Sequence, residues 1–255
     1  MNRLRRRIEA GVTVADVVRP GESTSFVNPF SYLKLRLRPD LQDAIDHWGV
    51  DGMSLQILLR IWWRSGLKRA SFDYTSLAAP VFEALSEQGR TIFVIGSEQA
   101  LVDVFVGHLH VEFPRLLVIG HRDGFFESPA QRAAVAGAIA AQKPDFVLVG
   151  MGAVLQEDFI LALRAAGFGG AAATCGGFIH QTARAGRRYY PAWVDRLNLR
   201  FAWRMFDEPA LVRRYLIDYP RAFVTILNDL RAGPKVAREA GVDADRVDTD
   251  KGKLQ

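Results

Sequence analysis

The chain has 255 residues, 49% of them apolar and 24% charged, which is enough for one large domain with a real core and excludes disorder and coiled-coil rods. Its single cysteine, Cys175, excludes a disulfide framework and a multi-cysteine zinc site, and its five histidines form no metal-binding helix pattern. The formal charge is a mild +5, but the stretch from Arg184 to Lys235 holds 11 Arg and Lys against 5 Asp and Glu, a local +6 on a near-neutral body. A basic end of this kind fits an anionic partner such as a membrane surface, a phosphate-bearing ligand or nucleic acid, and equally a solvated helical face.

In chain order, the Met-Asn-Arg-Leu-Arg-Arg-Arg start has the charge of a signal peptide without an apolar stretch behind it, so a cytosolic location is expected. Over residues 10–85 the pattern predicts short strands at Val12–Val14 and Ser25–Asn28 and an apolar helix from Met53 to Arg64, together a smaller α/β layer packed against a sheet. Four β-prone runs follow: Thr91–Gly96, Leu116–Gly120, Asp145–Gly150 and Gly170–Cys175. Their spacing of roughly 25 to 30 residues suits a strand plus a crossover helix. Helices are expected from a Ser97 cap to about Phe113, from the Ser128-Pro-Ala-Gln131 capping box to about Gln142, and from Gln156 to Ala165. Near-continuous apolar strands alternating with helices give a Rossmann-like parallel sheet covered on both faces. A helical region then runs from Pro191 to about Phe206 and, after Pro209, from Ala210 to about Leu230, ahead of a polar tail. The expected division is a 1–85 subdomain, an 86–186 nucleotide-binding core, a 187–235 basic appendage and a 236–255 tail. No apolar run is long enough to cross a bilayer.

Ligands of parallel sheets bind beyond the carboxyl ends of the strands. Here those ends carry Gly96-Ser97, Gly120-His-Arg-Asp123-Gly124, Gly150-Met-Gly152 and Gly176-Gly177, which together favour a nucleotide or phosphate, although each alone could simply make a turn. Neither GxGxxG nor GxxxxGK[ST] occurs. The helix dipole accounts for Glu157 and Asp158 at a helix start, whereas the amide of Gln156 is left to bind a ligand oxygen. Asp51-Gly52 reads as a turn, Cys175 as packing, and His121 and His180 as structural histidines. Asp243-Ala-Asp245 and Asp248-Thr-Asp250 mimic a metal motif but lie in the tail. Trp193, Leu197, Phe201 and Met205 recur every fourth residue beside a stripe of Arg196, Arg200 and Arg204, a pattern that suits a helix in an anionic membrane interface or one packed on the domain.

Several segments, taken together, resemble the WecG/TagA/CpsF family of bacterial glycosyltransferases, glycosyltransferase family 26. They include Phe26-Val-Asn28-Pro, Val50-Asp51-Gly52, Lys68-Arg69, Val118-Ile-Gly-His-Arg-Asp-Gly-Phe125-Phe126, Val149-Gly-Met-Gly-Ala-Val-Leu-Gln156-Glu157, Gly176-Gly177 and Leu199-Arg-Phe-Ala-Trp-Arg204, in family order over about residues 24–216. The resemblance implies inverting transfer of a sugar from a UDP-sugar to an undecaprenyl-diphosphate-linked saccharide at the inner membrane face, for surface polysaccharide, with no cofactor or metal and no nucleic-acid partner. It makes Asp51 the general base, lets Asn28 hold sugar hydroxyls and puts Arg69 and Gln156 near the donor. Gly96, Asp123, Gly124, Gly150, Gly152 and Glu157 would shape the UDP site. Arg196, Arg200, Arg204 and Arg214 would serve the diphosphate and the membrane. Whether the enzyme is a homo-oligomer is left open.

The chain departs from the family pattern at Phe26, where a Thr is common, at Leu155, where a Lys is usual, and at His180, where many members have Asp. These positions bear on the donor sugar and the acceptor. The competing readings are a nucleotide-dependent oxidoreductase, which the missing glycine fingerprint disfavours, and a non-enzymatic protein binding membranes or nucleic acid through its basic end.

Overall fold

The computed structural model describes residues 8, 11–186, 194, 196, 200–207 and 211–232. Six strands form one sheet: β1 Ser23–Val27, β2 His47–Val50, β3 Thr91–Gly96, β4 Leu117–Arg122, β5 Phe146–Gly150 and β6 Ala171–Thr174. Their order is β2-β1-β6-β5-β3-β4, and every neighbouring pair is parallel. The interior strands β3 and β5 are apolar at almost every position because both faces are covered, and β1, whose Ser23-Thr24-Ser25 start is polar, is buried throughout; β4, at an edge, alternates between more and less exposed residues instead.

Strand alternation divides the core in two. Ile92, Val94, Phe146 and Leu148 point to one face, and Phe93, Ile95, Val147 and Val149 to the other. The first face is covered by α1 Val14–Val17, α5 Ala78–Glu87, α6 Gln99–Glu112 and α9 Phe178–Ala185. The second is covered by α2 Pro29–Leu35, α3 Pro39–Ala44, α4 Met53–Trp63, α7 Pro129–Gln142 and α8 Leu155–Ala165. The result is the Rossmann-like α/β sandwich expected from the sequence.

The N-terminal strands do not build a separate layer. β1 pairs with both β2 and β6 and so extends the same sheet. The strand expected at Val12–Val14 is absent; Val14–Val17 is a short helix, because Thr13 accepts from the Asp16 backbone N–H while the Asp16 carboxylate accepts from that of Thr13. Ser97 does not cap α6: it takes φ +60°, and Glu98 is the N-cap. At α7, Ser128 does accept from the Gln131 N–H, but the Gln131 side chain accepts from Glu127 rather than closing the box on Ser128.

At the C-terminus, α10 Arg200–Asp207 falls within the expected helix, and a π-helical turn, Arg214–Asp218, leads into α11 Tyr219–Ala232. This last helix is docked on the body. Ala222 and Ile226 are buried in the second core face, and Asp229 accepts from Arg36 Nε and Nη2 and from the Tyr32 hydroxyl, all at 2.8 Å. The polar tail expected at 236–255, with its Asp-x-Asp pairs, lies outside the described residues, as do Trp193, Leu197 and the side chains of Arg200, Phe201 and Arg204.

Candidate active site

Because all six strands are parallel, their carboxyl ends share one edge, about 4.8 Å apart per strand and roughly 24 Å from β2 to β4. The chain order reverses between β3 and β5: β3 connects outward to β4, whereas β5 leads toward β6. Ligands of open α/β sheets settle at such a point.

At the other end of this edge, β1 and β2 bring Asn28 and Asp51 side by side, the Asp51 backbone N–H donating to the Val27 carbonyl at 2.8 Å. Asn28 caps α2, its Oδ1 accepting from the Ser31 N–H at 2.9 Å. Asp51 precedes Gly52, whose φ of +92° turns the chain into α4. Arg69 lies 3.5 Å from Asp51 Oδ1 through Nη2 but holds Asp73 Oδ2 at 2.6 Å. Asp73 is also bonded by Ser71 Oγ, Thr75 N and Thr75 Oγ1. Burial pushes the Asp73 carboxyl up, but Arg69 and these hydroxyls outweigh it, leaving it below the ordinary carboxylate value. Burial likewise works against the Arg69 charge, and Asp73 and Asp51 more than restore it. A fixed cation thus stands beside a half-exposed carboxylate.

The π-helical turn completes this corner. The Arg214 guanidinium stacks on the Phe30 ring at 4.1 Å, and its Nη2 reaches Asn28 Oδ1 at 3.4 Å. Its Nε is buried with no partner among the described residues, an unmet donor that an anion would satisfy. Arg214 therefore belongs with Asn28, nearly two hundred residues away in the chain. Arg196 is exposed.

The glycine-bearing ends behave differently from one another. A Cβ on Gly96, which has φ +144°, would lie 2.3 Å from the Gly150 carbonyl oxygen, and one on Gly124 would lie 2.7 Å from Met151 Cγ. Ser97 N–H donates to Gly150 O and Gly124 N–H to Ser97 O, both at 3.0 Å. Gly96, Gly124 and Gly150 thus let three loops lock together, so their missing side chains make room for protein. Gly152, at φ +78°, has open space around it. Asp123 accepts from Phe125 N at 2.8 Å and from Arg122 at 3.3 Å, shaping its own turn.

The amide proposed for a ligand, that of Gln156, is spent inside the protein: Nε2 donates to Glu157 at 3.0 Å, and Oε1 accepts from Gly176 N–H at 3.2 Å. Glu157 is fully buried. Its Oε1 also accepts from Ser25 Oγ at 2.7 Å, Ser25 in turn accepts from Thr174 Oγ1 at 2.9 Å, and Oε2 accepts from Val154 N at 2.7 Å. Burial raises its pKa, and these bonds only partly offset it. The helix dipole alone does not explain this residue; it ties β1, β6 and α8 together beneath the site. Above it, Val154 takes φ +70°, costly for a β-branched residue.

Helices α4, α6, α8 and α9 all start at this edge without a side-chain cap bond, unlike α2 and α7. Some of their first N–H groups are spent locally, Leu101 on the Glu98 carbonyl, Gln156 on Gly152, Phe178 on Cys175 and Val154 on the Glu157 carboxylate; the remaining first-turn N–H groups have no intrahelical acceptor and suit an anion. Phe178 pins the start of α9 by edge-on contacts with Phe72 and Phe105 at 5.7 and 5.6 Å. Two residues on, His180 has a buried Nε2 with no partner among the described residues. Cys175 is buried and its thiol is pushed well up by burial, in keeping with a packing role. Among the described residues no group of three or more His, Cys, Asp or Glu is placed to hold a metal ion.

The sequence reading missed Asp73, Ser25, Thr174 and Phe30. Only Asp73 left a trace, four residues after Arg69. The others act through contacts across strands or across the whole chain.

Residues 4–235 match the family described as Glycosyl transferase WecG/TagA/CpsF family. The chain is 30% identical over 205 residues to the UDP-Gal:alpha-D-GlcNAc-diphosphoundecaprenol beta-1,4-galactosyltransferase of Shigella boydii, covering 80% of this chain and 85% of that protein. It is 26% identical over 224 residues to the N-acetylglucosaminyldiphosphoundecaprenol N-acetyl-beta-D-mannosaminyltransferase of Bacillus subtilis (strain 168), covering 82% and 80% respectively. A protein of the same name from Bacillus spizizenii is 26% identical over 174 residues, 65% of this chain and 62% of that one.

Proposed function

Since this chain belongs to the WecG/TagA/CpsF family and is a glycosyltransferase, we propose that it moves a sugar from a UDP-sugar to a hydroxyl of a polyprenyl-diphosphate-linked saccharide, for surface polysaccharide, at the inner face of the plasma membrane. The relatives named above carry the acceptor class, and the first of them carries the UDP donor in its name. The observation that carries the assignment of roles is the corner where adjoining strand ends bring Asn28 beside Asp51, with Arg69 on the half-exposed Asp51 carboxylate and Arg214, its Nε buried and unsatisfied among the described residues, on Asn28.

In this reading the Asp51 carboxylate takes the proton from the acceptor hydroxyl as that oxygen attacks the anomeric carbon. The bond from the anomeric carbon to the diphosphate breaks, and UDP leaves from the opposite face with the electron pair, inverting the centre. Arg69, held by Asp73, lies beside Asp51 and orients its carboxylate. The amide of Asn28 engages sugar hydroxyls. Charge building on the departing diphosphate is met by N–H groups at the uncapped helix starts and by Arg214, without a metal. Gly152, with room around it, lets the backbone after β5 come close to UDP, while Gly96, Asp123, Gly124, Gly150, Gln156 and Glu157 hold that cradle in shape from behind. The C-terminal arginines Arg196, Arg200 and Arg204 would serve the diphosphate or the membrane.

The test is transfer from a panel of UDP-sugars to a short-chain polyprenyl-diphosphate-GlcNAc in the presence of EDTA. One donor is expected to give a product with inverted anomeric configuration. Failure of every UDP-sugar, together with no thermal stabilisation by UDP at a hundred times a micromolar dissociation constant, where about 2.7 kcal/mol is due, would overturn the reading.

A further inference from the structure

Helix α4 starts two residues after Asp51 and shows two unlike sides. Leu55 and Leu59 are buried in the core. Met53, Ile57 and Ile61, four residues apart, form a stripe that is 45%, 49% and 72% exposed, and Trp62 beside them is 41% exposed. The helix is about 16 Å long, and a bond from Gln56 Nε2 in its first half to the Leu67 carbonyl, at 2.9 Å, ties it to the segment that follows. A row of large apolar side chains held rigidly in water needs a cover.

The charges around it say which. Arg60, Arg64 and Lys68 are exposed along and just beyond the helix, and from Gly52 to Phe72 the sequence has no Asp or Glu. An isologous contact with a second copy would bring these like charges together. The chain's own basic stretch, Arg184 to Lys235, would repel them too. An apolar stripe with Trp, accompanied along its own segment by the cations Arg60, Arg64 and Lys68, matches the interface of an anionic bilayer, where the rings and aliphatic chains sink below the headgroups and the cations stay among them. Continuity points the same way. Gly52 abuts Pro29 at the start of α2, the next residue, Phe30, carries Arg214, and Leu216 and Ile217 just beyond it are 64% and 57% exposed.

We propose that α4 is a membrane-docking helix, seating its Met53–Ile57–Ile61–Trp62 stripe in an anionic lipid surface so that Asp51 stands at the headgroup level where a lipid-linked diphosphate presents its sugar. The inference deepens the proposed acceptor reading, yet docking itself needs no sugar and is measured apart from it.

The experiment is co-sedimentation of the full chain with phosphatidylcholine vesicles, with and without a quarter of phosphatidylglycerol. The wild type is expected to bind the anionic vesicles, and Ile57→Ser/Ile61→Ser to bind at least tenfold more weakly while melting at the wild-type temperature. Arg60→Gln and Arg64→Gln should each cost about fivefold, falling toward none in high salt. Independently, Ile61→Cys carrying an environment-sensitive dye should shift its emission to the blue on anionic vesicles, the buried Cys175 staying unlabelled. Vesicle binding by Ile57→Ser/Ile61→Ser within twofold of wild type, or an unshifted dye, would overturn the proposal. So would a wild-type dimer that the double substitution splits without changing vesicle binding. Transfer to a water-soluble short-chain acceptor should survive in Ile57→Ser/Ile61→Ser; its absence in the wild type as well would count against the enzymatic reading and leave the docking result standing.

Discussion

Asp229→Ala should loosen the C-terminal helix without unfolding the protein. The substitution removes three 2.8 Å bonds, two from Arg36 and one from Tyr32. The Arg36 side chain is 34% exposed, so solvent screens the ion pair and its two-point geometry is discounted accordingly. The loss of the bond from the Tyr32 hydroxyl adds to this. The sum is about 1–2 kcal/mol, or roughly 5- to 30-fold in the opening of α11. Ile226→Ala removes packing at a 1% exposed position and should cost more, about 2–4 kcal/mol. Hydrogen exchange over residues 219–232 reads both effects. Partial burial pushes the Asp229 carboxyl up, but Arg36 and Tyr32 outweigh it, leaving a folded-state value below the ordinary one. Such a group contributes its full stability above pH ~4 and loses it as pH falls through the folded value. Wild-type α11 should therefore open more readily in acid, and Asp229→Ala should lack that dependence. Unchanged exchange in Asp229→Ala, or an equal acid response in both proteins, would refute this account of how the appendage is held.

Two further outcomes test the site's scaffold. Gly96→Ala should destabilise by about 2–4 kcal/mol in urea unfolding, since its Cβ meets the Gly150 backbone and its φ is unfavourable, whereas Gly107→Ala and Gly137→Ala, in open space on α6 and α7, should each stabilise by about 0.5–1 kcal/mol. Glu157→Gln places an amide NH2 where the carboxylate now accepts from Ser25, Gln156 or Val154, and should cost about 1–3 kcal/mol at neutral pH. With its folded pKa raised, the Glu157 contribution is fully present below the unfolded value near pH 4.3 and declines as pH rises through the folded value, so the wild type should show this slope in unfolding scans and Glu157→Gln should not.

The sheet was legible because its strands are short apolar runs at crossover spacing, a local signal. What lay hidden was set by distant partners. The first residues after Gly11 read as strand by their valines, but the Thr13–Asp16 cap made them helix. The 1–85 region looked like a layer of its own because nothing in sequence says that β1 pairs with β6. At the site, the resemblance supplied Asp51 and Asn28, and their neighbouring strand ends bring them together. Gln156 looked free for a ligand because its bond to Gly176 spans twenty residues and a strand. The pairing of Arg214 with Phe30 and Asn28 follows from the docking of α11, which no local pattern announces.

In the proposed reaction Asp51 is the base of the sugar transfer. The direct measurement is kcat/KM for transfer by Asp51→Asn alongside its UDP affinity and melting temperature. Arg69 keeps its 2.6 Å bond to Asp73 in this variant, so the fold and the nucleotide site should stand. The account predicts a loss of about 10²- to 10⁴-fold in rate with UDP affinity and melting temperature unchanged. Transfer by Asp51→Asn within threefold of wild type would contradict it.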